Sequence, residues 1–316
     1  MLFLILVLLL SIPSVQTFLG KKVTTRLNND FKTNINIGKI GLQLNGDVEL
    51  KNILIKDYKK DTLFAAVELN TSILNFRNII NSKLVFGDID VEGLIFNLKT
   101  YKGETDTNLD IFVARFDEDN PSPSENIFLL SSSDVSIYDG IFRLIDENKE
   151  TPEILEFTNI HANTTNLLIN GSNVSTRINT LAFKDSRGVE VKNLASNFSY
   201  TTSAIHLEDL DIKTAKSSLS GDLKFLYKRE ELADFTNKVK VEATFTKSDI
   251  ALNELNTFYN EFGTNQRAKL SANVSGTLNN LNVSNLELFT SSRSEIYGDL
   301  NFKNLFNSEE NNFYMK

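Results

Sequence analysis

Cysteine is absent from the chain, which excludes disulfide scaffolds and thiolate metal sites. There are two histidines, His161 and His206, and neither belongs to a two-histidine metal spacing such as H-E-x-x-H. Tryptophan is also missing, and the aromatics are mainly phenylalanine, 23 against 8 tyrosines. That balance suits an apolar lining better than a platform for stacking sugars. Cationic charge is in deficit. With 33 Lys and Arg against 41 Asp and Glu the net charge is −8, which argues against a nucleic-acid partner, because phosphate neutralisation needs clustered cations. The chain also lacks a G-x-S-x-G elbow, a Walker loop and a G-x-G-x-x-G turn. Proline (4) and glycine (14) are sparse for 316 residues.

One apolar run stands at the start. Met1 to Gly20 carries no charge, and Leu2 to Ile12 is almost wholly aliphatic. A membrane-spanning helix needs about 20 such residues, and Pro13 interrupts this run. A cleaved signal peptide would show a basic n-region and a small-residue cleavage site, and neither is evident. The expectation is an uncleaved transmembrane anchor over 1–20 and an amphipathic helix over 21–34, with a true start further upstream. Val15, Phe18, Leu19, Val23 and Leu27 follow helical spacing, with Lys21, Lys22 and Arg26 among the polar positions.

From Ile35 to the end, the period is two. Ile40, Leu42, Leu44, Val48 and Leu50 alternate with polar residues or glycine. So do Val239, Val241, Ala243 and Phe245, then Leu270, Ala272 and Val274. Such alternation predicts strands with one apolar and one solvated face, hence mainly antiparallel sheet. The apolar phase slips at Gly93, as at a β-bulge or bend. Two segments repeat each other: Leu207-Glu-Asp-Leu210-Asp-Ile212 with Leu219-Ser-Gly221-Asp222-Leu223-Lys-Phe225, and Val283-Ser-Asn-Leu286-Glu-Leu288 with Ile296-Tyr-Gly298-Asp299-Leu300-Asn-Phe302. Each reads as a hairpin, and a recurring hairpin implies a sheet built by repetition. Helices are expected at Asp249–Phe262 and as a short turn at Leu74–Ile80, and an exposed acidic loop at 117–125.

Catalytic chemistry finds little purchase. Both histidines read as solvated strand residues, and no carboxylate pair can be singled out among 41 acidic residues. Asp106, Asp110, Asp117 and Asp119 could hold Ca²⁺, but without a fixed loop pattern they read as a solvated acidic face. No enzyme, cofactor or metal is expected.

Several motifs in order resemble the N-terminal part of the TamB branch of the AsmA-like superfamily. They begin with the apolar run into Ile12-Pro-Ser-Val-Gln16, then Leu50-Lys-Asn-Ile-Leu-Ile55-Lys-Asp57 with Asp61-Thr-Leu63. They continue through Ile89-Asp-Val-Glu-Gly-Leu-Ile-Phe96, Asn108-Leu-Asp-Ile-Phe112 and Val274-Ser-Gly276-Thr-Leu. The resemblance implies a mainly β fold: an elongated series of antiparallel hairpins forming an open curved trough (a β-taco, or repeating β-groove), with an N-terminal membrane helix and few short helices. The β-groove region would occupy 35–316. The resemblance also implies a single-pass protein of the bacterial inner membrane, with its bulk in the periplasm. It would serve outer-membrane biogenesis by conveying phospholipid, and it would meet a TamA-like outer-membrane barrel through a C-terminal region that is missing here. The apolar phase would line the groove: Leu42, Leu44, Val48 and Leu50 near its start, Leu223, Phe225, Val239 and Val241 further on. Leu270, Val274, Leu300 and Phe302 follow. The alternative is a scaffold for outer-membrane protein assembly, holding strands by edge pairing without lipid cargo. A carbohydrate-active enzyme or adhesin would need acidic clusters with aromatic platforms, which are not found.

Overall fold

A computed structural model describes residues 13–42, 47–73, 83–116, 129–149, 153–257, 266–305 and 310–316. The fold is mainly β. Sixteen strands make one mixed sheet, and the chain divides into two compact units, residues 1–176 and 177–316.

Unit 1 opens with helix α1 (Pro13–Phe31) against β1 (Asn34–Leu42). Gly20 lets the helix come close: a Cβ there would sit 1.8 Å from Ile40 Cδ1. Asn28 then clasps the first strand. Its Oδ1 accepts the Ile35 N–H at 2.8 Å and its Nδ2 donates to the Ile35 carbonyl at 2.9 Å, so a side-chain amide takes up both backbone groups. Next come β2 (Asp47–Lys56), β3 (Thr62–Ile73), β4 (Lys83–Glu92), β5 (Ile95–Thr100), helix α2 (Asn108–Val113), β6 (Leu129–Asp146) and β7 (Glu153–Asn170). The β1–β2, β2–β3, β3–β4 and β6–β7 pairs are antiparallel. The long β6 departs from the expected meander. It pairs in parallel with β4 through its first half and with β5 through its second. Gly93, with φ +62, makes the bend between β4 and β5 that the slip in phase predicted. The Gly93 N–H bonds the Tyr138 carbonyl at 3.0 Å, and the Ile141 N–H bonds that of Leu94 at 2.7 Å.

The unit boundary falls within β8 (Asn173–Asp185). Unit 2 continues with β9 (Glu190–Tyr200), β10 (Ala204–Thr214), β11 (Ser218–Leu226), helix α3 (Phe235–Lys238), β12 (Lys240–Ala251), β13 (Arg267–Thr277), β14 (Asn280–Thr290), β15 (Glu295–Lys303) and β16 (Asn312–Met315). From β9 to β16 each strand pairs antiparallel with the next, as alternation and repeated hairpins predicted.

The repeat seen in the sequence is a bulge device. Asp209 and Asn285 sit in the left-handed region, φ 52 and 51, where the register shifts. Their N–H groups bond the carboxylates of Asp222 (2.9 Å) and Asp299 (3.0 Å) on the facing strand. Facing each bulge is a glycine, Gly221 (φ +154) or Gly298 (φ +147). A Cβ on Gly221 would lie 1.9 Å from the Thr244 carbonyl oxygen. The bulge adds one residue, so apolar residues three apart (Leu207 and Leu210, Val283 and Leu286) stay on one face while the strand bends.

The helix expected over Asp249–Phe262 is corrected as far as Thr257, and its last part, 258–262, lies outside the described residues. Strand β12 runs to Ala251, and Leu252–Thr257 form a 3₁₀ turn. A bulge at Lys247 (φ 48) brings Ser248 and Ile250 back into the apolar phase, so sheet pairing wins over the helical spacing. The expected turn at Leu74–Ile80 and the loop at 117–125 lie outside the described residues. So does the first part of the expected anchor, residues 1–12; the rest of it belongs to α1, which runs unbroken through Gly20. Among the described residues no helix is long and apolar enough to cross a membrane.

Candidate functional site: the apolar faces of the sheet

Residues paired directly across neighbouring strands lie on one face, so the register converts the sequence pattern into a surface. In unit 2 one row crosses eight strands from β9 to β16: Phe198, Leu207, Leu223, Ala243, Val274, Val283, Leu300 and Met315. One residue along, on the opposite face, the row reads His206, Lys224, Glu242, Ser275, Asn282 and Asn301. The two faces therefore differ sharply in polarity. At about 4.8 Å per strand the apolar row spans roughly 34 Å.

Exposure along that face is uneven. Leu207, Leu223, Leu270, Val274, Leu288 and Leu300 are partly buried, whereas small Ala243 and Ala272 and, at the bulges, Leu210 and Leu286 are buried. In a two-layer domain a second layer would bury the leucines. Among the described residues, α3 and the 252–257 turn pack on the strands of unit 2 besides sheet neighbours, and both are short. Helix α3 covers one end. Its Phe235 ring lies 5.5 Å from that of Phe225, and the Thr236 carbonyl accepts the Asn279 N–H at 3.1 Å. Phe225 is cross-strand to Val241, which is buried there together with Val239.

Unit 1 carries two comparable rows. One joins Ile35, Ile55, Phe64, Phe96, Phe142 and Phe157; the other joins Ile40, Leu50, Leu69, Val91, Ile137 and Ala162. Here a contiguous cluster is buried, Ile53, Ala66, Ile89 and Val91, with Leu50, Phe64 and Val135 packed against it. Of the residues expected to line a groove, Val48 is buried and Leu50 partly buried. Leu42 pairs with Val48 through the backbone, and Leu44 lies outside the described residues. In unit 2, Leu223, Val274 and Leu300 share the central row, while Phe225 and Val241 pair two residues along on the same face. Phe302 pairs with Phe313, and Leu270 with Leu288 beyond the bulges. Val239 caps α3 at the entrance to β12.

A second cluster was not anticipated from the sequence. Asp57, in the β2–β3 turn, is 4 % exposed and accepts the N–H groups of Lys59 (2.9 Å) and Asp61 (3.0 Å). Tyr101 Oη reaches Asp57 Oδ2 at 2.7 Å and Asp61 Oδ2 at 2.9 Å, and Asn108 Nδ2 donates to Asp57 at 3.2 Å. Lys99 Nζ lies between Asp61 (3.1 Å) and Glu147 (2.8 Å) and 4.3 Å from the Tyr101 ring centroid. Burial, then the bonds to Asp57 and Asp61, holds the Tyr101 phenol far above its ordinary pKa. The bond from Tyr101, then that from Lys99, lowers the Asp61 carboxyl. Every group here has a partner, so the cluster is a lock tying the β2–β3 turn to β5 and α2. Three of its members, Asp57, Asp61 and Asn108, come from two of the motifs behind the family resemblance, 50–57 with 61–63 and 108–112. Asp110 is likewise committed, as the capping-box residue of α2: it accepts the Thr107 N–H at 3.0 Å and the Thr107 hydroxyl at 2.6 Å. It is a cap and not part of an open acidic face. Asp117 and Asp119 lie outside the described residues. His206 pairs with Lys224 on the polar face, and His161 is exposed, its Nε2 3.5 Å from Asp139.

Fold and surface together define a mainly β protein whose repeated hairpins present one apolar and one polar face. In comparison with known proteins, no family model matches the chain and no curated protein does.

Proposed function

We propose that this chain carries lipid acyl chains along its apolar sheet faces, as a membrane-anchored periplasmic protein of outer-membrane biogenesis with no enzymatic activity. The observation that carries the reading is the eight-strand row from Phe198 to Met315, whose leucines stay partly exposed beside a uniformly polar row. An acyl chain of about 16 carbons in water costs on the order of 12 kcal/mol at ~0.8 kcal/mol per CH₂. A carrier must offer a continuous apolar surface to offset that. A row of roughly 34 Å exceeds the ~15 Å depth of one leaflet's hydrocarbon, so it is long enough for such a chain. The polar back face keeps the same strands in contact with water.

A second reading is a scaffold for outer-membrane protein assembly working with a TamA-like barrel, in which the same apolar row holds the side chains of an unfolded barrel strand in place of acyl chains. Native mass spectrometry of the protein purified without added lipid separates the two. The conduit predicts co-purified phospholipid that Leu223→Arg depletes and Lys224→Glu does not. Lipid-free protein that captures unfolded barrel strands supports the scaffold instead.

A further inference from the structure

Helix α1 presents two different sides. Gly20, Thr24 and Asn28 are partly buried towards β1, whereas Phe18, Lys21, Lys22, Thr25, Arg26 and Asn29 form an exposed stripe at helical spacing. Phe18 is 58 % exposed, and Lys22 Nζ lies 5.2 Å from its ring centroid. A large apolar side chain held beside an ammonium and facing solvent has no role in packing this helix. The sequence adds a second observation. Lys21 and Lys22 directly follow the charge-free stretch Met1–Gly20.

We propose that this stripe lies on an anionic phospholipid surface, with Lys21 and Lys22 on the headgroups and Phe18 at the acyl boundary. The stripe sets one large apolar ring among basic side chains, a combination suited to the headgroup boundary, while the other side of the helix contacts the protein. The sign of the charge identifies the partner. The protein as a whole is acidic, at −8, so a basic stripe on its surface is a local departure that suits anionic lipid and not a neutral bilayer. The stripe would hold α1, and through the Asn28 clasp β1, flat against the membrane where a lipid path has to begin. The inference rests on the membrane-bound reading of the N-terminus but not on lipid transport, and lipid capture at Leu223 is measured separately.

The test uses the full chain and vesicles of phosphatidylcholine, alone or with about a third phosphatidylglycerol. Each lysine near an anionic surface contributes about fivefold in affinity, so the two together should favour the anionic vesicles by roughly 25-fold at low salt. Half-molar salt should remove most of that preference. Lys21→Glu with Lys22→Glu should abolish it, with the circular dichroism spectrum unchanged. Because the chain has no cysteine, Thr25→Cys takes a single fluorophore. Brominated phosphatidylglycerol should quench that label in the wild-type background and not in the double lysine variant. This readout holds even if the apolar N-terminus drives binding to every vesicle. Equal quenching in both backgrounds, or equal affinity for both vesicle types together with no quenching, would overturn the proposal.

Discussion

Ile53 and Val91 in unit 1 are 7 % and 6 % exposed, within a cluster that runs across β2, β3 and β4. In the central row of unit 2 the buried member is small, Ala243, and the flanking Leu207, Leu223 and Leu300 remain partly exposed, while Leu210, Val241 and Leu286 on the same face are as buried as the unit 1 cluster. Both units show the same alternation in sequence, so alternation alone does not decide whether an apolar face becomes a core. What decides it is cover. Unit 1 lays α1 on β1, adds a second register through the long β6, and lines up Phe96, Phe142 and Phe157 at ring separations of 5.4 and 5.7 Å. Unit 2 bends the sheet with bulges and covers one end with α3.

A charge placed in each face sharpens this contrast most. Ile53→Arg should destabilise unit 1 by about 3–5 kcal/mol, because the guanidinium would be buried without a partner. Leu223→Arg should cost about 1 kcal/mol, since the long side chain reaches water from a half-open face. Hydrogen exchange read separately over each unit measures both. Equal losses would mean that the two faces are equally closed.

The bend can be broken directly. Gly221→Ala places a methyl group against the Thr244 carbonyl in a left-handed conformation. It should cost about 3 kcal/mol and loosen β10–β12. The same change at Gly188, in open space at a turn with φ +102, should cost about 1 kcal/mol from backbone strain alone. Chemical denaturation of the two variants compares them.

The lock is a feature of unit 1. Asp57→Ala leaves two turn N–H groups and one Asn108 amide hydrogen without their acceptor, and leaves the Tyr101 hydroxyl to Asp61 alone. It should cost about 2–3 kcal/mol, with faster exchange at 57–61 and 99–110 and little change in unit 2.

Acid should act in the same direction, more gently. Among the described residues unit 1 holds four carboxyls below their usual range: Asp61 by Tyr101 then Lys99, Glu68 by Asn70 then Lys51, Glu104 by Lys59 then Tyr58, and Glu147 by Lys99. In unit 2 the lowered carboxyls are Asp185, by Arg187, and Glu190, by Lys192. A lowered folded-state pKa adds stability that is complete above the unfolded value near 4 and is lost as pH falls through the folded one. Acidification below pH ~4 should therefore loosen unit 1 before unit 2, as followed by exchange rates corrected for pH.

The strands, the repeated hairpin and the bend at Gly93 were legible in the sequence, because period two and its slips are local signals. Direction of pairing was not. Alternation in β4, β5 and β6 reads alike for parallel and antiparallel neighbours, and the parallel register became visible only in three dimensions. The helix expected at Asp249–Phe262 failed because Leu252 and Leu255 fit a helical stripe, while the bulge at Lys247 carries the strand to Ala251. The lock is not legible in the sequence because Asp57 lies 44 and 51 positions from Tyr101 and Asn108, and only the sheet register brings these polar residues together. The half-open row of unit 2 was legible as apolar positions, but its exposure depends on what packs above it.

The central claim is that this row receives acyl chains, and photocrosslinking in cells tests it most directly. A photoreactive residue at Leu223 or Val274 should capture phospholipid, while one at Lys224 or Asn273, on the polar face of the same strands, should not. Equal capture from both faces, or none from the apolar one, would contradict it.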